Sequence, residues 1–207
     1  MERLKRVELP STLKVIARDA FEGCSQLSIL QLPEGLQAIE YRAFSDCTSL
    51  TEVKLPNSLK TIGCGAFSSC TSLTEIKLPN SLKTIESATF NSCTSLIQIN
   101  LPKSIQIIED SAFQNCSKLA DVIFPDGLQS IEKNAFHGCT SLTEIKLPDS
   151  LRSIGENAFA CCTSLTEVKL PENVQVIGDD AFSDCYLLLC RLQIIPADAI
   201  LREVPSV

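Results

Sequence analysis

The chain has 207 residues, 18 basic and 25 acidic side chains, and a formal charge of −7. That length suffices for one sizeable core, and the acidic balance argues against nucleic acid, which demands a basic stripe. No like-charge run exceeds three residues, and the longest apolar run, Leu187 to Cys190, is far too short to cross a membrane as a helix.

After a lead-in of residues 1–3, one unit is stated eight times. Starts fall at Leu4, Leu27, Leu50, Leu73, Leu96, Leu119, Leu142 and Leu165, each 23 residues apart. A fixed period in this range signals a solenoid. Counted from that Leu, position 4 is Val, Leu or Ile, position 6 is Leu or Phe124, and position 5 is mostly polar. This two-residue alternation is that of a half-buried strand. Pro at position 7, from Pro10 to Pro171, ends each strand because it has no N–H for a ladder.

A second apolar stretch, as in Ser58 to Ile62, is expected to form a short strand on the other side of the coil, with Ile always at position 13. Small polar or acidic residues then lead into Ala-Phe at positions 17 and 18, for example Gly155 to Phe159. The segment is too short for a long helix, so a 3₁₀ turn or a single α turn is expected there. Position 21 is always Cys. One unit cannot bury its Leu, Ile, Phe and Cys side chains alone, whereas stacked units cover one another.

The outward strand positions, 3 and 5, carry a surface code. In the first repeat they are Arg6 and Glu8, and nothing in the sequence before Leu4 reads as a cap for that coil. Repeats three, four, seven and eight carry Glu then Lys: Glu52/Lys54, Glu75/Lys77, Glu144/Lys146 and Glu167/Lys169. In-register stacking places like on like, offset diagonally by the opposite charge two residues away. Three repeats break the code. Repeat two has Ile29 and Gln31; repeat five has Gln98 and Asn100 beside Ile97; repeat six has Asp121 and Ile123. Uncharged, partly apolar ground in a charged sheet is a candidate protein-binding patch. The plain alternatives are a solvated face and drift within a tandem array.

After Cys185 the frame is lost. Residues 4–187 are read as one solenoid and 188–207 as a degenerate C-terminal cap, with a short amphipathic helix over 197–204; the competing reading is a truncation scar. Met1 to Arg6 enters the first repeat with no apolar leader. Read as complete, the chain is cytoplasmic; read as a fragment, it belongs at the cell surface or outside the cell.

The motif L-x-x-[VI]-x-L-P-x-x-[LIV]-x-x-I followed by A-F-x-x-C resembles the BspA-like leucine-rich repeats over residues 4–185. The resemblance implies a right-handed solenoid with a parallel sheet on one face. It implies binding of other proteins, often within cell-surface adhesins, with intracellular members in protists.

Eleven Cys are present, eight of them at position 21 and the others at 64, 161 and 190. The eight are read as a buried column of small apolar fillers, with disulfides between neighbouring coils or metal binding as the sharper alternatives. Many unpaired thiols favour a reducing compartment, and Cys64, just after Gly63, is expected to be the most exposed. The one histidine, His137, is expected to be exposed in a turn. No phosphate loop, nucleophile elbow or paired-carboxylate signature occurs, and nothing calls for a cofactor or a metal. The chain is therefore read as a non-catalytic protein-interaction module. A spacer or assembly unit joined end to end through its N-terminal coil, and an adhesin fragment, are the alternatives.

Overall fold

The computed structural model describes residues 4–188. Each 23-residue unit makes one coil with two short strands. The first strands are β1 (Arg6–Glu8), β3 (Ile29–Gln31), β5 (Glu52–Lys54), β7 (Glu75–Lys77), β9 (Gln98–Asn100), β11 (Asp121–Ile123), β13 (Glu144–Lys146) and β15 (Glu167–Lys169). The second strands are β2 (Val15–Ile16), β4 (Ala38–Ile39), β6 (Thr61–Ile62), β8 (Thr84–Ile85), β10 (Ile107–Ile108), β12 (Ser130–Ile131), β14 (Ser153–Ile154) and β16 (Val176–Ile177).

All pairing is parallel and in register, so Glu52 lies beside Glu75 and Lys54 beside Lys77. On the first face the ladder runs β1-β3-β5-β7, then β9-β11, then β13-β15, with β7 packed against β9 and β11 against β13 across the two interruptions. On the second face it runs β2-β4-β6 and β8-β10-β12-β14-β16. The central residue of each first strand points inward, and the residues on either side of it are exposed. The fold is the parallel-sheet solenoid that the repeat requires.

The core follows from the invariant columns. The phenylalanines at position 18 form a continuous stack of eight rings from Phe21 to Phe182, with centroids 5.1–5.8 Å apart and planes within 14°. Each interior Phe is fully buried. A buried aromatic of this size contributes about 1.5–3 kcal/mol through area alone, and an aromatic pair adds roughly 0.5–1.5 kcal/mol.

The segment before and after Phe is not the helical turn expected from the sequence; no 3₁₀ or α helix forms among the described residues. Position 16 has a positive φ in every coil, from Asp19 to Asp180, and so does position 20, from Gly23 to Asp184. A helix cannot propagate through left-handed residues. The backbone instead alternates its bonding. The N–H groups of Ala112, Gln114 and Cys116 donate three residues back, to Glu109, Ser111 and Phe113. Those of Ser111, Phe113 and Asn115 donate to the next coil, at Lys133, Ala135 and His137. Every second turn amide therefore ties one coil to the next. Glycine is required at few of these places. At Gly63, an added Cβ would lie 2.7 Å from the Tyr41 backbone nitrogen.

Of the expected C-terminal cap, Leu188 packs partly against the core and its N–H donates to Cys185. The rest of the cap and the expected helix lie outside the described residues.

Candidate interaction face

The residues that break the surface code all stand exposed on or beside the first sheet. Ile29 is 49% exposed, Ile97 51% and Ile123 64%. Register pairs Asp121 with Gln98 and Ile123 with Asn100, so four of the predicted residues form one contiguous patch across β9 and β11, with Ile97 at its edge. Ile29 and Gln31 do not join it. They sit on β3, and β5 and β7, with their Glu and Lys, lie in between. At a strand spacing of about 4.8 Å, the two patches are roughly 14 Å apart. Each borders a shallow groove. One is lined by Ile29, Gln31, Glu52 and Lys54, the other by Glu75, Lys77, Gln98 and Asn100.

The cysteine column is buried throughout. Seven of its thiols, from Cys47 to Cys185, each donate to the carbonyl oxygen of the Phe one coil back, at 3.1–3.3 Å. Burial, with the adjacent cysteines as a second cause, holds Cys93, Cys116 and Cys139 well above the ordinary thiol value, and Cys47 is pushed up to about 12. A thiol that stays protonated is neither a nucleophile nor a metal ligand.

Two features escaped the sequence reading. His137 is half-buried, not exposed, because its turn leans on the neighbouring coils, and its Nδ1 has no hydrogen-bond partner. Cys64, Glu86 and Glu109, from three successive coils, bring one ligand atom each within 4.8 Å of one another. Cys64 Sγ is 4.0 Å from Glu86 Oε2, while Glu109 accepts from the Ser87 N–H and hydroxyl at 3.1 and 2.9 Å. Burial, then the Glu109 charge, raises the Glu86 carboxyl above its ordinary range.

The model of the BspA-type leucine-rich repeat region matches residues 1–120 and 83–194, with six copies. The chain belongs to this family. BspA-type repeats are leucine-rich solenoids, typical of protein–protein interaction or surface proteins and typically non-enzymatic. The leucine-rich repeat protein of T. pallidum is 32% identical over 90% of this chain and 78% of its own, with a TM-score of 0.69. A leucine-rich cell-surface protein of Faecalibacterium prausnitzii is 30% identical over 91% of this chain and 59% of its own, with a TM-score of 0.62. The pneumococcal vaccine antigen PcpA shares the fold at 22% identity and a TM-score of 0.57, over 88% of this chain and 55% of its own. This BspA-type chain thus spans little more than half the length of the latter two. No curated protein is similar to it in sequence at a significant level. Among the described residues, no helix is long and apolar enough to cross a membrane.

Proposed function

We propose that this chain is a non-catalytic protein-binding module. Its partner contacts Gln98, Asn100, Asp121 and Ile123 with Ile97 alongside, and Ile29 and Gln31 form a second, smaller patch. The observation that carries the reading is Ile123, a large apolar side chain 64% exposed on a sheet face whose coils three, four, seven and eight present Glu and Lys. An apolar side chain this exposed, beside the Asn100 amide, has little to gain from water and much to gain from a partner.

The test is capture of a protein from the source cell's lysate by the wild type and by the triple variant Gln98→Glu, Asn100→Lys, Ile123→Lys. A protein retained by the wild type and lost from the variant supports the reading. Identical captures overturn it.

A second reading makes the chain a unit of a longer repeat array or of a surface protein. The edge strand β1, whose one partner among the described residues is β3, and the half-exposed Val15 support an end-to-end contact. The cell-surface protein of F. prausnitzii supports the extracellular placement. Light scattering over a concentration series would show end-to-end growth as mass rising without limit.

A further inference from the structure

The exposed charges of the first sheet are arranged so that the face complements itself. In coils three, four, seven and eight, the outward residue near the start of the strand is Glu and the one near its end is Lys. Parallel, in-register pairing turns these into columns: Glu52 beside Glu75 and Lys54 beside Lys77, then Glu144 beside Glu167 and Lys146 beside Lys169. Like charges directly opposite across a ladder destabilise it. The intrastrand remedy is used sparingly. Lys146 reaches Glu144 at 3.1 Å, but Glu52, Glu75, Glu167 and their lysines form no ion pair among the described residues. Two short blocks of paired rows of opposite sign therefore lie on the face, one over coils three and four and one over coils seven and eight, with coils five and six between them.

We infer that this face docks on the same face of a second copy of the chain. Only one symmetric arrangement suits it. A two-fold axis lying in the interface and parallel to the stacking direction reverses the strand direction but keeps the coil order. The Glu stripe of one copy then lies over the Lys stripe of the other. The alternative axis, along the strands, lays Glu over Glu and Lys over Lys. Closure adds a further constraint: a shift by one coil would turn the two-fold into a screw and generate a fibre, so coil three must face coil three of its mate. Coil one obeys the same rule with its order reversed. Arg6 and Glu8, bridged at 3.0 Å within the strand, each meet the opposite sign. Coil five sets the amide of Gln98 over that of Asn100.

This docking rests on the reading of the sheet as the binding face, and it makes a second copy a competitor of any foreign partner there, because the face-to-face arrangement covers the apolar patch as well. Eight three-residue strands, each about 10 Å long and about 4.8 Å apart, give about 400 Å² per copy, below the range of stable specific interfaces and suited to a weak, transient one. The dimer is accordingly reversible and sensitive to salt.

Sedimentation of the pure protein tests it. The wild type shows a concentration-dependent monomer–dimer equilibrium that fades between about 0.01 M and about 1 M salt, as the Debye length falls from ~30 Å to ~3 Å. The variant with Glu52, Glu75, Glu144 and Glu167 changed to Lys is monomeric, as is the variant with Lys54, Lys77, Lys146 and Lys169 changed to Glu, and an equimolar mixture of the two forms a heterodimer. Should either fail to fold, the variant carrying both sets of changes decides the matter. It exchanges the stripes and keeps the face self-complementary, so it dimerises with itself and its dimer fades with salt as that of the wild type does. A wild type that stays monomeric at low salt, a dimer that survives the single-sign changes, or an exchanged variant that stays monomeric overturns the inference. The Gln98→Glu, Asn100→Lys, Ile123→Lys variant separates the two readings. It extends the stripes and tightens self-docking while it removes the site for a foreign partner.

Discussion

The thiol of Cys116 donates to the carbonyl oxygen of Phe90, one coil back, at 3.1 Å. That oxygen also accepts the N–H of Cys93 in its own coil at 3.2 Å. The thiol is thus the second donor to a carbonyl that is already satisfied. It joins two coils at a place where no water reaches. Cys116→Ala removes this bond without orphaning the acceptor. The expected loss is about 1 kcal/mol, read from denaturant midpoints.

The same geometry governs reactivity. Alkylation needs thiolate and access, and the column thiols have neither. Among the described cysteines, mass spectrometry after brief alkylation of the native protein at mildly alkaline pH should find label on Cys64 first. Cys161 follows, since burial and then the Asp184 carboxylate raise its thiol. The column is labelled only after denaturation. Native labelling of Cys93 or Cys116 would show that the coils open readily.

Ala88 sits at φ +54° with its N–H tied to Asp110 of the next coil. The left-handed region costs an L-residue about 1–2 kcal/mol, and glycine loses part of that advantage to chain entropy. Ala88→Gly should therefore stabilise by about 0.5 kcal/mol. The same change at Ala112, buried beside the Phe stack and with ordinary φ, should destabilise. Two opposite shifts in melting temperature are the expected readout.

Gly63 has the reverse requirement. The backbone of Glu40 and Tyr41 occupies the space its Cβ would take, at 2.8 and 2.7 Å. Backbone cannot swing aside like the end of a side chain, so Gly63→Ala should cost about 1–3 kcal/mol. An unchanged midpoint would show that the coil spacing relaxes there.

Glu86 gives the fold a pH dependence of definite sign. Its carboxyl is raised in the folded state, by burial and then by Glu109, so the fold favours its protonated form. The stability this group contributes is present below its ordinary carboxylate pKa and is lost as pH rises through the raised one. Glu86→Gln, which mimics the protonated state, should melt higher than the wild type at neutral pH, with the gap closing under mild acid. A gap that persists at low pH would assign the effect to something other than this proton.

How much of this was legible beforehand depends on whether a feature lives in a column or between columns. Phe113 and Cys116 are read at once as core because eight coils repeat them and stacking is the one way to bury them. The turns were misread because positions 16 and 20 carry no common residue. Arg42, Ala88, Ser111 and Asn134 all adopt the same left-handed φ, imposed by bonds to the next coil and not by their own preference. The Cys64–Glu86–Glu109 cluster joins position 15 of one coil to position 14 of the next two, a diagonal that aligned columns do not display. On the binding face, each exposed residue was legible from its place in the strand, but the gap between Ile29 and the Ile123 patch appears only once the strands are laid side by side.

The alternating turn amides have a mechanical consequence. Bonds from Phe113 to Ala135, or from Ser111 to Lys133, run along the stacking direction. A pull on the two ends of the solenoid therefore loads the coil-to-coil seams in series. Such a seam yields by peeling, one coil at a time and from an end, instead of resisting as a whole. Each coil that lets go releases 23 residues, about 75 Å of slack once the stacked height is subtracted. Under tension the expected response is a series of equal steps, each paying out the chain of one coil.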